Sequence, residues 1–135
     1  MMTKENTLYL PIKQVYFDQI IDGSKKEEYR EVKGTTAGKY LMKDENGAFV
    51  RNPECTQPDK DYFIEDYNGG NFPFLPRQYK YLSMAVGYAK ERDTAVVEIT
   101  HVTFEPTRVF NDKITFWICV FHLGKVIELH RKKRS

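Results

Sequence analysis

The chain has 135 residues, the length of one compact domain, and its 41% apolar content is enough to build a core. No apolar run approaches the roughly 20 residues that span a bilayer, which argues against a membrane-crossing helix. With 21 basic and 19 acidic side chains the net charge is +2, so long-range steering toward nucleic acid is weak and any anion site must be local.

Nine Tyr and nine Phe against one Trp suit an aromatic-rich β structure better than a helical bundle. The first six residues, MMTKEN, lead into a strand pattern with no apolar leader, and Cys55 and Cys119 form no CxxC pair. The predicted setting is cytoplasmic and reduced, with Cys119 a core thiol and Cys55 in a polar loop.

The first predicted element is a strand over Thr7–Ile12, with Pro11 favouring a sheet edge. A short helix follows over Gln14–Asp22. Its apolar face is Tyr16, Phe17, Ile20 and Ile21, opposite Gln14, Asp18, Gln19 and Asp22. Gly23 stands at the helix C-cap position. The segment Lys25–Val32 then reads as a strand with charge on both sides. Lys26, Glu28 and Arg30 fall on one side, and Lys25, Glu27, Tyr29 and Glu31 on the other. A half-buried strand normally alternates apolar with polar residues, so this pattern marks a polar cleft or a ligand site.

One helical turn fits within Thr35–Met42. From Asp44 to Pro76 no period holds, and four prolines with Asn68-Gly69-Gly70-Asn71 break the chain. Loops this long are uncommon in compact domains. The segment also carries Tyr62, Phe63, Ile64, Tyr67, Phe72, Phe74 and Leu75, so it is predicted to pack as a flap. Strands are expected again at Tyr79–Val86, at Ala95–Glu105 ending on Pro106, and at Ile114–Leu123. Gly124 is expected to turn the chain into a hairpin with Lys125–His130. The basic tail 131–135 is expected to fray. One helix and about six strands predict an α+β fold, a single-domain mixed β-barrel with a helix packed on it.

Several segments resemble one family. Leu8-Tyr9-Leu10-Pro11-Ile12-Lys13, a helix, and then Gly23-x-Lys25-x-x-Glu28-Tyr29-Arg30 resemble the ASCH domain family of the PUA-like superfamily. That family has a first strand ending in Lys, a helix, and G-x-K-x-x-x-x-R, often with Glu two before the Arg. Val86-Gly87-Tyr88-Ala89-Lys90 with the strand after it, and the segment Ile118–Glu128, resemble the turn and final hairpin of its phage-type branch. The resemblance covers about two-thirds of the chain and departs from it between Thr35 and Pro76.

The resemblance implies a pseudo-barrel with a cleft between barrel and helix that binds RNA, a nucleotide or a modified nucleoside. Some small members of the superfamily hydrolyse N4-acetylcytidine with a Lys, a Thr three residues later and a downstream Glu. Here Lys25 fills the first place, Glu28 stands where the Thr would be, and the downstream Glu has no counterpart.

On chemistry alone, Lys25 and Arg30 suit a phosphate or a base carbonyl, and Glu28 suits an exocyclic amine. The competing reading makes Glu28 and Arg30 a structural ion pair. As an amidohydrolase the chain would use Lys25 and Glu28 as catalytic groups. Lys13, Tyr88 and Lys90 are candidates for the rim, Tyr88 by stacking on a base. Each is equally readable as packing or solvated surface.

His101, His122 and His130 lack metal-ligand spacing, and no metal or cofactor is predicted. His101 and His122 read as core or barrel-wall groups. A protein-interaction module that uses the aromatic loop as its interface is the third reading.

Overall fold

The alternation of Thr7–Ile12 builds an edge strand, β1, that buries Leu8, Leu10 and Ile12 and leaves Tyr9 and Pro11 exposed. The computed structural model describes residues 2–55, 72–109 and 113–133. In these the order is β1 (Thr7–Ile12), α1 (Gln14–Asp22), β2 (Glu27–Val32), α2 (Ala37–Tyr40), β3 (Tyr81–Val86), β4 (Thr94–Val109) and β5 (Lys113–His130). The strands form one mixed five-stranded sheet in the order β1-β3-β4-β5-β2, so the fold is α+β and mostly β. Pro11, which has no N–H to donate, lies on an edge strand as expected. Among the described residues no helix is long and apolar enough to cross a membrane.

The chain divides into two compact units. The first comprises residues 1–28, 79–101 and 121–135. There β1 runs parallel to β3 from Thr7↔Tyr81 to Ile12↔Val86, and β3 runs antiparallel to β4 from Tyr81↔Glu98 to Ala85↔Thr94. Leu82, Met84, Ala95, Val97, Ile99 and Phe121 are buried. Helix α1 adds Phe17 and Ile20 to this core. Its apolar face is narrower than its pattern suggested, because Tyr16 is exposed and Ile21 only half-buried. Gly23 caps α1 at φ 86°, a left-handed conformation that suits glycine, and its N–H reaches the Ile20 carbonyl at 3.2 Å.

The second unit comprises residues 29–78 and 102–120. The predicted helical turn is α2. The described ends of the aperiodic segment are knitted together by single bridges, Leu41↔Pro76, Lys43↔Phe49 and Arg51↔Phe74. Phe72 is buried, with ring centroids 4.5 Å from Phe104 and 5.0 Å from Trp117. The predicted flap residues Tyr62, Phe63, Ile64 and Tyr67 lie outside the described residues. Cys55 and Cys119 are both free and buried, so Cys55 is not a loop-surface thiol. Burial pushes the Cys119 thiol far above its ordinary range.

Four expectations are corrected. Pro106 does not end β4, which runs on to Val109. The ladder to β3 stops at Glu98, so the missing N–H of Pro106 breaks no bond to β3. Gly124 makes no turn either, since β5 is one strand from Lys113 to His130. A Cβ at Gly124 would collide with the Glu98 carboxylate and stand 3.1 Å from Thr100 Cγ2. The glycine therefore permits close approach within the sheet.

The charged strand begins at Glu27, so Lys25 and Lys26 precede it. The tail is also held at its start. Arg131 Nη1 donates to Asp93 Oδ2 at 3.0 Å and to Asp18 Oδ1 at 2.9 Å, and the Lys132 N–H donates to Asp93 Oδ1 at 2.9 Å.

Candidate functional site

Helix α1 ends in a backbone wrap that brings the following residues back along it. The Lys25 N–H donates to the Gln19 carbonyl at 3.0 Å. That return places Lys25 Nζ 5.4 Å from the centroid of the Tyr16 ring, one helical turn earlier, in cation–π range. Lys25 Nζ also lies 3.7 Å from Glu28 Oε1. The two side chains are 17% and 6% exposed, which makes this a mostly desolvated ion pair. The two residues share no strand face because Lys25 precedes β2, and that freedom lets the pair form.

The neighbouring carboxylate points elsewhere. Glu27 Oε2 is 3.1 Å from His122 Nδ1. That geometry places a proton on His122 Nδ1, since a carboxylate only accepts. The Leu123 N–H donates to the Lys26 carbonyl at 2.9 Å and holds the two segments together.

His101 stacks on His122 with centroids 3.9 Å apart and planes 5° from parallel. Thr100 Oγ1 donates to the His122 carbonyl at 3.1 Å and lies 3.1 Å from His101 Nδ1, so it accepts from that nitrogen. Of the two expected settings, core or barrel wall, the core one fails, and both histidines stand on sheet strands, β4 and β5. His101 is exposed and His122 half-buried. Buried positions in β4 are Ala95, Val96, Val97, Ile99 and Val102, so Thr100 and His101 stand in an exposed gap between Ile99 and Val102.

The remaining predicted residues are scattered. Lys13 is exposed at the N-cap of α1. Arg30 belongs to the second unit and donates from Nη1 to the Tyr29 carbonyl at 2.8 Å. Tyr88 and Lys90 are exposed in the β3–β4 turn, Tyr88 at 86%. Tyr88 lines a cavity of about 450 Å³ with Tyr9, Pro11, Ser83, Ala85 and Arg92, among others. Lys25, Glu28 and Lys90 do not line it.

Sequence reasoning thus named Lys25 and Glu28, though not as a pair, and missed five side chains that belong to these groupings. Tyr16 was assigned to the core. Tyr9 had a visible signal, a large aromatic at the outward position between Leu8 and Leu10. Arg92 is a second cation two residues after Lys90. The Glu27–His122 pair joins positions 95 residues apart and had no local signal.

The fold and this pair define a small mixed-sheet α+β chain with a desolvated Lys–Glu pair beside its first helix. Comparison with protein-family models, with curated proteins and with solved structures found no match.

Proposed function

We propose that this chain is an ASCH, PUA-like domain, a pseudo-barrel that binds RNA, a nucleotide or a modified nucleoside through a polar cleft centred on Lys25 and Glu28. The observation that carries this reading is the pair itself. A lysine and a glutamate, both largely withdrawn from water, lie 3.7 Å apart just after α1, and the lysine sits over the ring of Tyr16 in the first turn of that helix. A buried ion pair contributes little net stability compared with apolar packing, so its presence favours a role in recognition. A base offers both a carbonyl for Lys25 and an exocyclic amine for Glu28. The G-x-K spacing that ends α1 supports the same reading.

The desolvated carboxylate favours a second reading, hydrolysis of an acylated nucleoside such as N4-acetylcytidine. Water would add to the acyl carbonyl, Glu28 would take the proton from that water, and Lys25 would hold the carbonyl oxygen. The proton would then pass to the departing cytidine amine, leaving acetate.

A thermal-shift screen tests both readings. The panel is cytidine, N4-acetylcytidine, other modified nucleosides, nucleotides and short RNA oligomers, run against the wild type, Lys25→Ala and Glu28→Gln. A ligand that binds only the folded state raises Tm, and the rise should vanish in Lys25→Ala. Release of acetate from N4-acetylcytidine, lost in Glu28→Gln, would mark the enzyme. No shift with any compound, or an equal shift in Lys25→Ala, would remove the cleft reading.

A further inference from the structure

The face of the first unit's sheet turned away from its core carries a second, separate set of binding groups. Alternation puts Tyr9 and Pro11 of β1, Ser83 and Ala85 of β3, and Thr94 of β4 on this one face, opposite Leu8, Leu10, Leu82 and Met84. The floor is made of small side chains, so the cavity above it is open to a flat ligand. Its volume of about 450 Å³ falls within the range of about 300–1,000 Å³ common for small-molecule sites.

Two tyrosines border this cavity, Tyr9 at 59% and Tyr88 at 86% exposure. Neither hydroxyl has a partner among the described residues. Tyr9 stands on the sheet face and Tyr88 in the adjoining β3–β4 turn, and large aromatics so exposed gain apolar contact only when a ligand covers them. The third group is Arg92. Its Nη1 donates to the Gly87 carbonyl at 3.1 Å, which fixes the guanidinium at the cavity wall. No carboxylate among the described residues pairs with it. A held, unneutralised guanidinium beside two aromatic rings is complementary to a planar ring joined to an anion.

We infer that this cavity binds a nucleoside 5′-monophosphate, its base against Tyr9 and Tyr88 and its phosphate on Arg92. The volume suits one nucleotide and not a strand. Lys90, exposed in the same turn, adds positive potential near the phosphate without lining the cavity. The site is independent of the Lys25–Glu28 pair and stands or falls separately from it.

The experiment is a titration of the full chain by ¹H–¹⁵N NMR with CMP, AMP, cytidine, inorganic phosphate and a hexaribonucleotide. Wild type is compared with Tyr9→Ala, Tyr88→Ala, Tyr88→Phe, Arg92→Ala and Lys25→Ala. The two tyrosines are mostly exposed, so their variants should fold.

CMP and AMP are expected to move the amides of Tyr9, Gly87, Tyr88 and Arg92. Each Tyr→Ala change should weaken binding roughly five- to a hundred-fold, the range for loss of one base–aromatic stack. Tyr88→Phe should bind like the wild type. Arg92→Ala should abolish the preference for CMP over cytidine, and Lys25→Ala should change nothing at this site.

Three outcomes would overturn the inference. In the first, nucleotides move only residues around Lys25 and Glu28, or nothing at millimolar concentration. In the second, phosphate binds as tightly as CMP and Tyr88→Ala is silent. In the third, the hexamer moves these amides where the mononucleotides do not.

Discussion

Asp93 joins three segments of the first unit. It is 1% exposed and stands immediately before β4. It accepts from Gln14 Nε2 of α1 at 2.9 Å, from Arg131 Nη1 and from the Lys132 N–H. Arg131 also lies 5.2 Å from the Phe17 ring centroid, so the tail clasps α1 by charge and by packing. Asp93→Ala removes an acceptor and strands its donors. We expect a loss of about 2–4 kcal/mol in urea unfolding, more than a surface carboxylate would cost.

Asp18, on the same arginine, has an acid signature. The hydrogen bond from Arg131, then that from Gln14, holds its carboxyl below the ordinary value of 3.8. A carboxyl lowered in the folded state stabilises at pH above its unfolded value and loses that contribution as pH falls through the folded one. Between pH 6 and 2.5 the stability of the wild type should therefore fall more steeply than that of Asp18→Asn, and the two curves should converge at the acid end. Parallel curves would show that Arg131 does not hold Asp18 in solution.

Elements were legible from sequence where one local rule governed them. The alternation of Thr7–Ile12, the amphipathic run Gln14–Asp22 and the cap at Gly23 each involve contacts within a few residues, and each is where the pattern placed it. The misreadings at Pro106 and Gly124 share a cause. Both residues are usual strand breakers, and whether they break depends on what the neighbouring strand asks of them.

The site divided along the same line. Lys25 and Glu28 stand in one short charged segment, so an unusual local charge pattern marked both, although it set them on opposite faces of a strand. Glu27 with His122, and Tyr9 with Arg92, are brought together only by strand pairing.

The two glycines offer a direct check on element identity. Gly23 has φ 86°, so Gly23→Ala should cost about 1 kcal/mol or more whatever the space around it. Gly124 is not among the glycines with positive φ. Gly124→Ala already meets the Glu98 carboxylate and stands 3.1 Å from Thr100 Cγ2, so it should cost about 1 kcal/mol, and the bulkier Gly124→Val about 2–3 kcal/mol. Glu98→Ala should recover part of either cost in a double-mutant cycle. No recovery in that cycle would mean that Glu98 does not face Gly124.

At the scale of the whole molecule, charge is nearly balanced and function must come from local grouping. The 21 basic and 19 acidic residues give little far field, so encounter with a polyanion gains little from steering. Among the described residues, two cations of the candidate sites stand near aromatic side chains. Lys25 lies over Tyr16, and Arg92 borders a cavity with Tyr9 and Tyr88.

On the nucleotide reading proposed above, such an arrangement suits one ring and at most one phosphate. It predicts a weak response to salt, because each phosphate neutralised on a single strand contributes a slope of only about −0.7 to log K against log salt. CMP binding measured from 50 to 300 mM NaCl should therefore show a slope no steeper than about −1. Cytidine should show almost none. A slope of about −3 or steeper for an RNA hexamer would require four or more phosphates to be neutralised together. That would demand a basic track longer than Lys25 or Arg92 alone supplies, and it would replace single-nucleotide recognition with strand binding.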